Sequence, residues 1–180
     1  QCAAIRQTEN QALVAVGHLQ AVGSEIAEKD YSERTIIGGL ECVSPDVFDE
    51  RIAYTALGHI HKAQRVSGKE HVRYAGSPLP MSFAERNYHH GAVLVTLADG
   101  RLQSIEKLPY HPLVSLLSVP SGEAVSPGEV LELLSSLPPR EEELPAPYLE
   151  IKVLLAEPEP MFRNEVEELV KDKQVRLARI

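Results

Sequence analysis

The residues with the most pointed chemistry are histidines that follow glycine. Gly58-His59-Ile60-His61 closes the apolar run Ile52 to Leu57, and Gly17-His18 closes Leu13-Val-Ala-Val16. On an extended segment, side chains two apart point to the same face, so an H-x-H at a strand end brings two imidazoles to one side. Imidazole ligates Mn, Fe, Zn or Ni, and a preceding glycine lets the backbone turn sharply out of a sheet. In α/β sheets, ligands gather beyond the carboxyl ends of the strands, which is where His18, His59 and His61 would converge. A bare H-x-H also fits two surface histidines in a loop; the repeated Gly-His ending lifts this one above that background. Directly after the pair, Lys62, Arg65, Lys69 and Arg73 face only Glu70, a local charge of +3 suited to a phosphate backbone. A solvated hairpin is the plainer reading of that run. His71, His89, His90 and His111 read as surface or packing residues, and Gly76-Ser77-Pro78 as a turn with no assigned role.

The elements that must position these side chains are short strands. The opening Gln1 to Gln11 reads as a helix end or a frayed start, Ala21 to Arg34 as a loop, and Thr35-Ile-Ile37 as a short strand before Gly38-Gly39. Ser67-Gly68-Lys69 and Asp99-Gly100 are hairpin turn signals, the second between strands Ala92 to Leu97 and Leu102 to Leu108. Past Pro109 and Pro112 the pattern changes, placing a boundary between residues 1–110 and 111–180. Leu113 to Val119 predicts a strand, and Ser126-Pro127-Gly128-Glu129 a capped helix with Val130, Leu131, Leu133, Leu134 and Leu137 on its apolar stripe. Leu149, Ile151 and Val153 alternate as a strand; Phe162, Val166, Leu169 and Val170 follow helical spacing; Val175 and Leu177 form a closing strand. The last 70 residues thus predict β-α-β-α-β, and the whole chain an α+β or α/β class.

Composition bounds the function. The 180 residues are 43% hydrophobic with a net charge of −8, enough apolar material for a core and no sign of wholesale disorder. No run of apolar residues is long enough for a membrane span, and no basic-then-apolar leader opens the sequence, so the expectation is a cytoplasmic protein. Cys2 and Cys42 are too few for a disulfide framework and lack metal-site spacing, so both read as reduced thiols with a packing role. Residues 111–180 hold 13 acids and 7 bases, so most of the negative charge lies there rather than beside the histidines.

Tyr54-Thr-Ala-Leu-Gly-His-Ile-His-Lys-Ala-Gln64, followed by Glu70-His-Val-Arg-Tyr-Ala-Gly-Ser-Pro-Leu-Pro-Met-Ser-Phe83, resembles the SbcD family of bacterial DNA-repair nuclease subunits, a branch of the calcineurin-like metallophosphoesterases. Ala15-Val-Gly-His-Leu19 and the β-α-β-α-β tail fit the same family in the same order. The resemblance implies the C-terminal half of a metallophosphoesterase β-sandwich flanked by helices (residues 1–110), then a capping domain (111–180). It implies two divalent metals, Mn2+ in this branch, with His18 and His59 on one and His61 on the other. It further implies DNA as substrate, an SbcC-like ATPase as partner, a homodimer, and ATP-dependent double-strand exonuclease with single-strand endonuclease activity. The family's D-x-H, G-D-x-x-D and G-N-H-D motifs, which carry its aspartates, its asparagine ligand and the histidine that assists the leaving group, are absent from this sequence. No catalytic residue is therefore assigned within the chain, which by itself should be inactive. Two other readings stay open: a small-molecule metallophosphoesterase, and a non-catalytic assembly or DNA-binding module.

Overall fold

The computed structural model describes residues 10–25 and 42–180. The strand expected at Thr35-Ile-Ile37, the loop beyond Glu25, most of the Gln1 to Gln11 segment, and Cys2 lie outside the described residues. The chain is mixed α and β, with several sheets and few helices, and separates into two compact units, Gln1–His111 and Pro112–Ile180. Among the described residues no helix is long and apolar enough to cross a membrane.

In the first unit, β1 (Val14–His18) pairs in parallel with β2 (Tyr54–Gly58), and β2 pairs in parallel with β4 (Lys69–Tyr74). β3 (Gln64–Val66) closes the sheet antiparallel to β4, giving the order β1-β2-β4-β3. The hairpin between β3 and β4 turns at Ser67 and Gly68, both at positive φ (47° and 74°), the conformation whose twist matches that of the flanking strands. Asp99 and Gly100 (φ 49° and 74°) do the same between β5 (Gly91–Ala98) and β6 (Arg101–Pro109), which form a separate two-stranded sheet. Leu57, Ile60, Val66, Val72 and Tyr74 pack with Ala21 and Phe48 into this unit's core. Cys42 is a free, exposed thiol, which corrects the packing role expected of it.

The second unit runs β7 (Leu116–Val119), α1 (Pro127–Ser135), β8 (Tyr148–Ile151), α2 (Phe162–Val170), β9 (Arg176–Arg179). The three strands are all parallel in the order β7-β8-β9, a pairing that needs the crossover connections the two helices supply. The start of α1 follows its sequence signal: the backbone N–H and the hydroxyl of Ser126 both donate to the Glu129 carboxylate, and Pro127 occupies the first helical turn where no N–H partner is needed. Val130 and Leu134 of α1 and Phe162, Val166 and Val170 of α2 bury against Val119, Leu149 and Ile151. Leu133, expected on the buried stripe, is exposed, because Val130 and Leu134 already define the inward face one turn apart.

Between Leu149 and Ile151 lies Glu150, turned to the opposite side of the sheet yet buried. Ser118 Oγ donates to it at 2.6 Å, and Arg179 Nε donates at 2.7 Å, so one carboxylate ties β7, β8 and β9 together. Burial alone would raise the Glu150 carboxyl; the Ser118 hydroxyl, the Arg179 guanidinium and the positive charge of Lys152 outweigh it and hold its pKa below the ordinary glutamate value. A carboxyl lowered on folding contributes stability that is complete above its unfolded pKa, about 4.3, and is lost as pH falls through the folded value. Urea unfolding from about pH 7 to about pH 2 should therefore show wild type exceeding Glu150→Gln at neutral pH, with the gap shrinking in acid. A gap that widens in acid would contradict the assignment.

Candidate functional site

The site begins with a register. β1 and β2 pair so that His18 lies opposite Gly58, the last residue of each strand. A Cβ at position 58 would stand 3.0 Å from His18 Nδ1, so the glycine provides the space in which the imidazole sits. The chain leaving β1 is held on both sides: Leu19 N–H donates to Gly58 O at 3.3 Å, while the buried Tyr74 hydroxyl donates to Leu19 O at 2.9 Å and accepts Ala21 N–H at 2.8 Å. His18 is thus anchored through β2 and β4.

His59 meets it. The two rings are edge to face, with centroids 5.3 Å apart. β2 ends at Gly58, and His59 has φ 102°, a conformation that costs a residue with a side chain about 1–3 kcal/mol. Ile60, 2% exposed, then returns to the core. The H-x-H segment is consequently not an extended strand, which corrects the alternation argument. A buried anchor at Ile60 and a turn at His59 place the two imidazoles instead.

His61 is held by a residue outside the histidine motif. Its Nδ1 lies 2.9 Å from Oε1 of Glu85, a carboxylate with no exposed surface. Oε2 of Glu85 accepts Met81 N–H at 2.9 Å and lies 3.4 Å from the Ser77 hydroxyl. Ser77 also faces buried His90, whose Nδ1 is 3.1 Å from Ser77 O and whose Nε2 is 3.1 Å from Glu85 O. His90 is therefore a packing histidine that closes the loop from Ser77 to His90 on itself. Gly76-Ser77-Pro78 is more than a turn: Ser77 N–H donates to His61 O at 3.0 Å, and a Cβ on Gly76 (φ 82°) would approach His61 O and Ala63 N to 2.8 Å. This loop packs on the backbone of the histidine turn. Glu85 lies two residues past the recognisable stretch ending at Phe83, and its sole sequence signal is an acid within a short helical turn (Phe83–Glu85) behind Ser82.

Each of the four basic side chains has an acceptor. Lys62 pairs with Glu25, Arg65 and Arg73 share Glu70, and Lys69 Nζ reaches the carbonyls of Pro45 and Phe48 at 3.2 and 3.4 Å. These partners hold the Glu25 and Glu70 carboxyls below the usual range, through hydrogen bonds and charge from Lys62 in one case and from Arg65 and Arg73 in the other. Pairs of this kind on a surface are weak and exchange readily. Two carboxylates, Glu25 and Glu70, thus face three of the four cations, and backbone carbonyls hold the fourth.

The donor set decides what the site fits. His18 and His59 come together, His61 is engaged by Glu85, and among the described residues no group of three or more His, Cys, Asp or Glu is arranged to hold a metal ion. Neutral imidazoles suit Mn, Fe or Zn but leave the charge of a dication uncompensated. The residues fit the histidine portion of a divalent-metal shell and not a complete two-metal centre.

Residues 111–180 match the SbcD_C family model, described as the Type 5 capsule protein repressor C-terminal domain. The chain is 40% identical to the SbcD subunit of nuclease SbcCD from Escherichia coli (strain K12) over 114 residues, covering 63% of the chain and 28% of that protein. It is 36% identical to the corresponding SbcCD nuclease subunit of Rhodobacter capsulatus over 125 residues (69% of the chain, 30% of that protein), and 36% identical to that of Bacillus subtilis over 90 residues (49% and 22%). The chain thus spans less than a third of the length of these relatives. The family model over the second unit and this level of identity support the reading of the chain as an SbcD-family C-terminal portion.

Proposed function

We propose that the chain is part of a nuclease subunit that hydrolyses DNA phosphodiester bonds in repair and recombination, with an SbcC-like ATPase as partner. In this reading residues 1–110 are the C-terminal part of a metallophosphoesterase sandwich, residues 111–180 its capping domain, and the complete protein a homodimer in the bacterial cytoplasm. The observation that carries it is the contact of His18 and His59 at the carboxyl ends of adjacent parallel strands. Unfinished packing supports a larger sandwich. Edge strand β1 exposes Val16 by 85% and Val14 by 52%, β5 alternates between half-buried and exposed positions, and β6 is mostly exposed, neither strand having a fully buried residue.

His18 and His59 would hold one divalent cation and His61 a second, with Mn2+ the expected ion. Bound there, such ions supply Lewis-acid stabilisation of the phosphoryl oxygens and a nucleophilic water at neutral pH. The chain's own residues do the positioning. Gly58 leaves room for the His18 ring, Tyr74 fixes the exit of β1, and the turn at His59 carries its imidazole to His18. Lys62, Arg65, Lys69 and Arg73 would meet the DNA backbone by exchanging their present partners for phosphate. The acid excess of residues 111–180 favours a second reading for the chain on its own: an assembly module rather than a free-standing DNA binder.

In NMR spectra, Mn2+ should broaden the ring signals of His18 and His59 together, and His18→Ala should weaken the effect at His59. The chain alone, lacking the aspartate motifs, should not hydrolyse double-stranded DNA ends with Mn2+; robust hydrolysis would overturn the ligand accounting. The φ of His59 makes a separate prediction. His59→Gly should match or exceed wild type in urea midpoint, because glycine relieves a strain of about 1–3 kcal/mol, whereas His59→Ala should fall below the glycine variant. Both should lose the Mn2+ response at position 18, and an alanine variant more stable than the glycine one would refute the strain.

A further inference from the structure

We propose that Glu85 is a positioning residue that holds His61 as its Nδ1–H tautomer, making Nε2 the nitrogen that His61 offers to a cation. The inference rests on the reading of His61 as a metal ligand and goes beyond it, because it assigns a purpose to a buried carboxylate outside the histidine motif.

The geometry carries the argument in steps. Glu85 has no exposed surface, so its carboxylate needs donors from the protein. Met81 N–H and the Ser77 hydroxyl are both directed at Oε2. Oε1 faces His61 Nδ1 at 2.9 Å, and with two donors already aimed at Oε2 the carboxylate is arranged to accept a third hydrogen bond, from the ring N–H. A neutral imidazole carries a single N–H; committing it to Nδ1 leaves the lone pair on Nε2, on the opposite edge of the ring. Histidines that ligate metals ordinarily donate their second nitrogen to a carboxylate or carbonyl in this way, which fixes ring orientation and raises ligand basicity.

Glu85 can act as a fixed reference because its own backbone is tied down. Its N–H donates to Ser82 O at 3.2 Å, and its carbonyl accepts Tyr88 N–H at 2.8 Å and faces His90 Nε2 at 3.1 Å. The other end of the contact is equally constrained, since His61 O accepts Ser77 N–H and the absence of a Cβ on Gly76 lets the two backbones touch. Ser77 therefore contacts both partners, its N–H at the His61 backbone and its hydroxyl at the Glu85 carboxylate.

The test uses the 15N-labelled full chain and reads the His61 tautomer from long-range proton–nitrogen correlations without metal, followed by a Mn2+ titration. The expected result is an Nδ1–H ring in wild type, retained in part by Glu85→Gln, whose side-chain oxygen still accepts, and lost in Glu85→Ala. Mn2+ affinity at His61 should fall about 10–100-fold in Glu85→Ala and less in Glu85→Gln. An Nε2–H ring in wild type overturns the proposal even if neither variant folds, as does an unchanged tautomer in a folded Glu85→Ala. Absence of any Mn2+ effect on His61 in wild type, with the tautomer responding to Glu85, overturns the ligand reading and with it the cation half of the proposal. The metal-free measurement keeps the two failures apart.

Discussion

The parallel register that sets His18 opposite Gly58 is the constraint on which the site depends. A slip by one residue would turn every side chain of β1 to the other face and put His18 opposite a residue with a Cβ. The register is guarded from the far side of the sheet. Tyr74, 1% exposed at the end of β4, spans β2 to bond the backbone of Leu19 and Ala21 just past His18. A tyrosine hydroxyl buried without partners would be costly, so its two hydrogen bonds both satisfy it and fix where β1 ends. The core under β2 and β4 and the placing of an exposed-edge histidine are therefore one problem with one solution.

What the sequence made legible follows from how local the cause was. The turns at Ser67-Gly68 and Asp99-Gly100, the Ser126 start of α1 and the strand-helix alternation after residue 112 are each dictated within a few residues, and each appears in the structure. The pairing of His18 with His59 was legible only through a shared Gly-His ending, a weak local sign of a long-range contact. Three features escaped. The positive φ at His59 depends on Ile60 being drawn into the core, and no neighbour predicts that. Glu85 meets His61 across 24 positions through a short helical turn with no special composition. The partners of Lys62, Arg65, Lys69 and Arg73 include backbone carbonyls, to which a charge count is blind.

Glu150 and Glu85, the two buried carboxylates among the described residues, show how the same group does different work by its partners. Glu150 faces a permanent cation, Arg179, and a hydroxyl, and so acts as a strap across three parallel strands. Glu85 faces an imidazole, a backbone N–H and a hydroxyl. Only the second arrangement sets a hydrogen-bond direction at an imidazole ring. A strap is indifferent to what happens beyond it, whereas a carboxylate behind a histidine decides which ring nitrogen is presented to the other side.

Contact geometry explains how the histidines can stand together without an ion between them. His18 and His59 rest with ring centroids 5.3 Å apart in a favourable edge-to-face contact. Clustered carboxylates repel one another until a cation arrives, and their geometry depends on it. The positions of the three histidines need only steric and hydrogen-bond support: a glycine gap for His18, a strained turn for His59 and a buried carboxylate behind His61. Strain at His59 persists because Gly58 and Ile60 hold the chain on both sides of it, so the energy stored there is set by the core and not by any ligand.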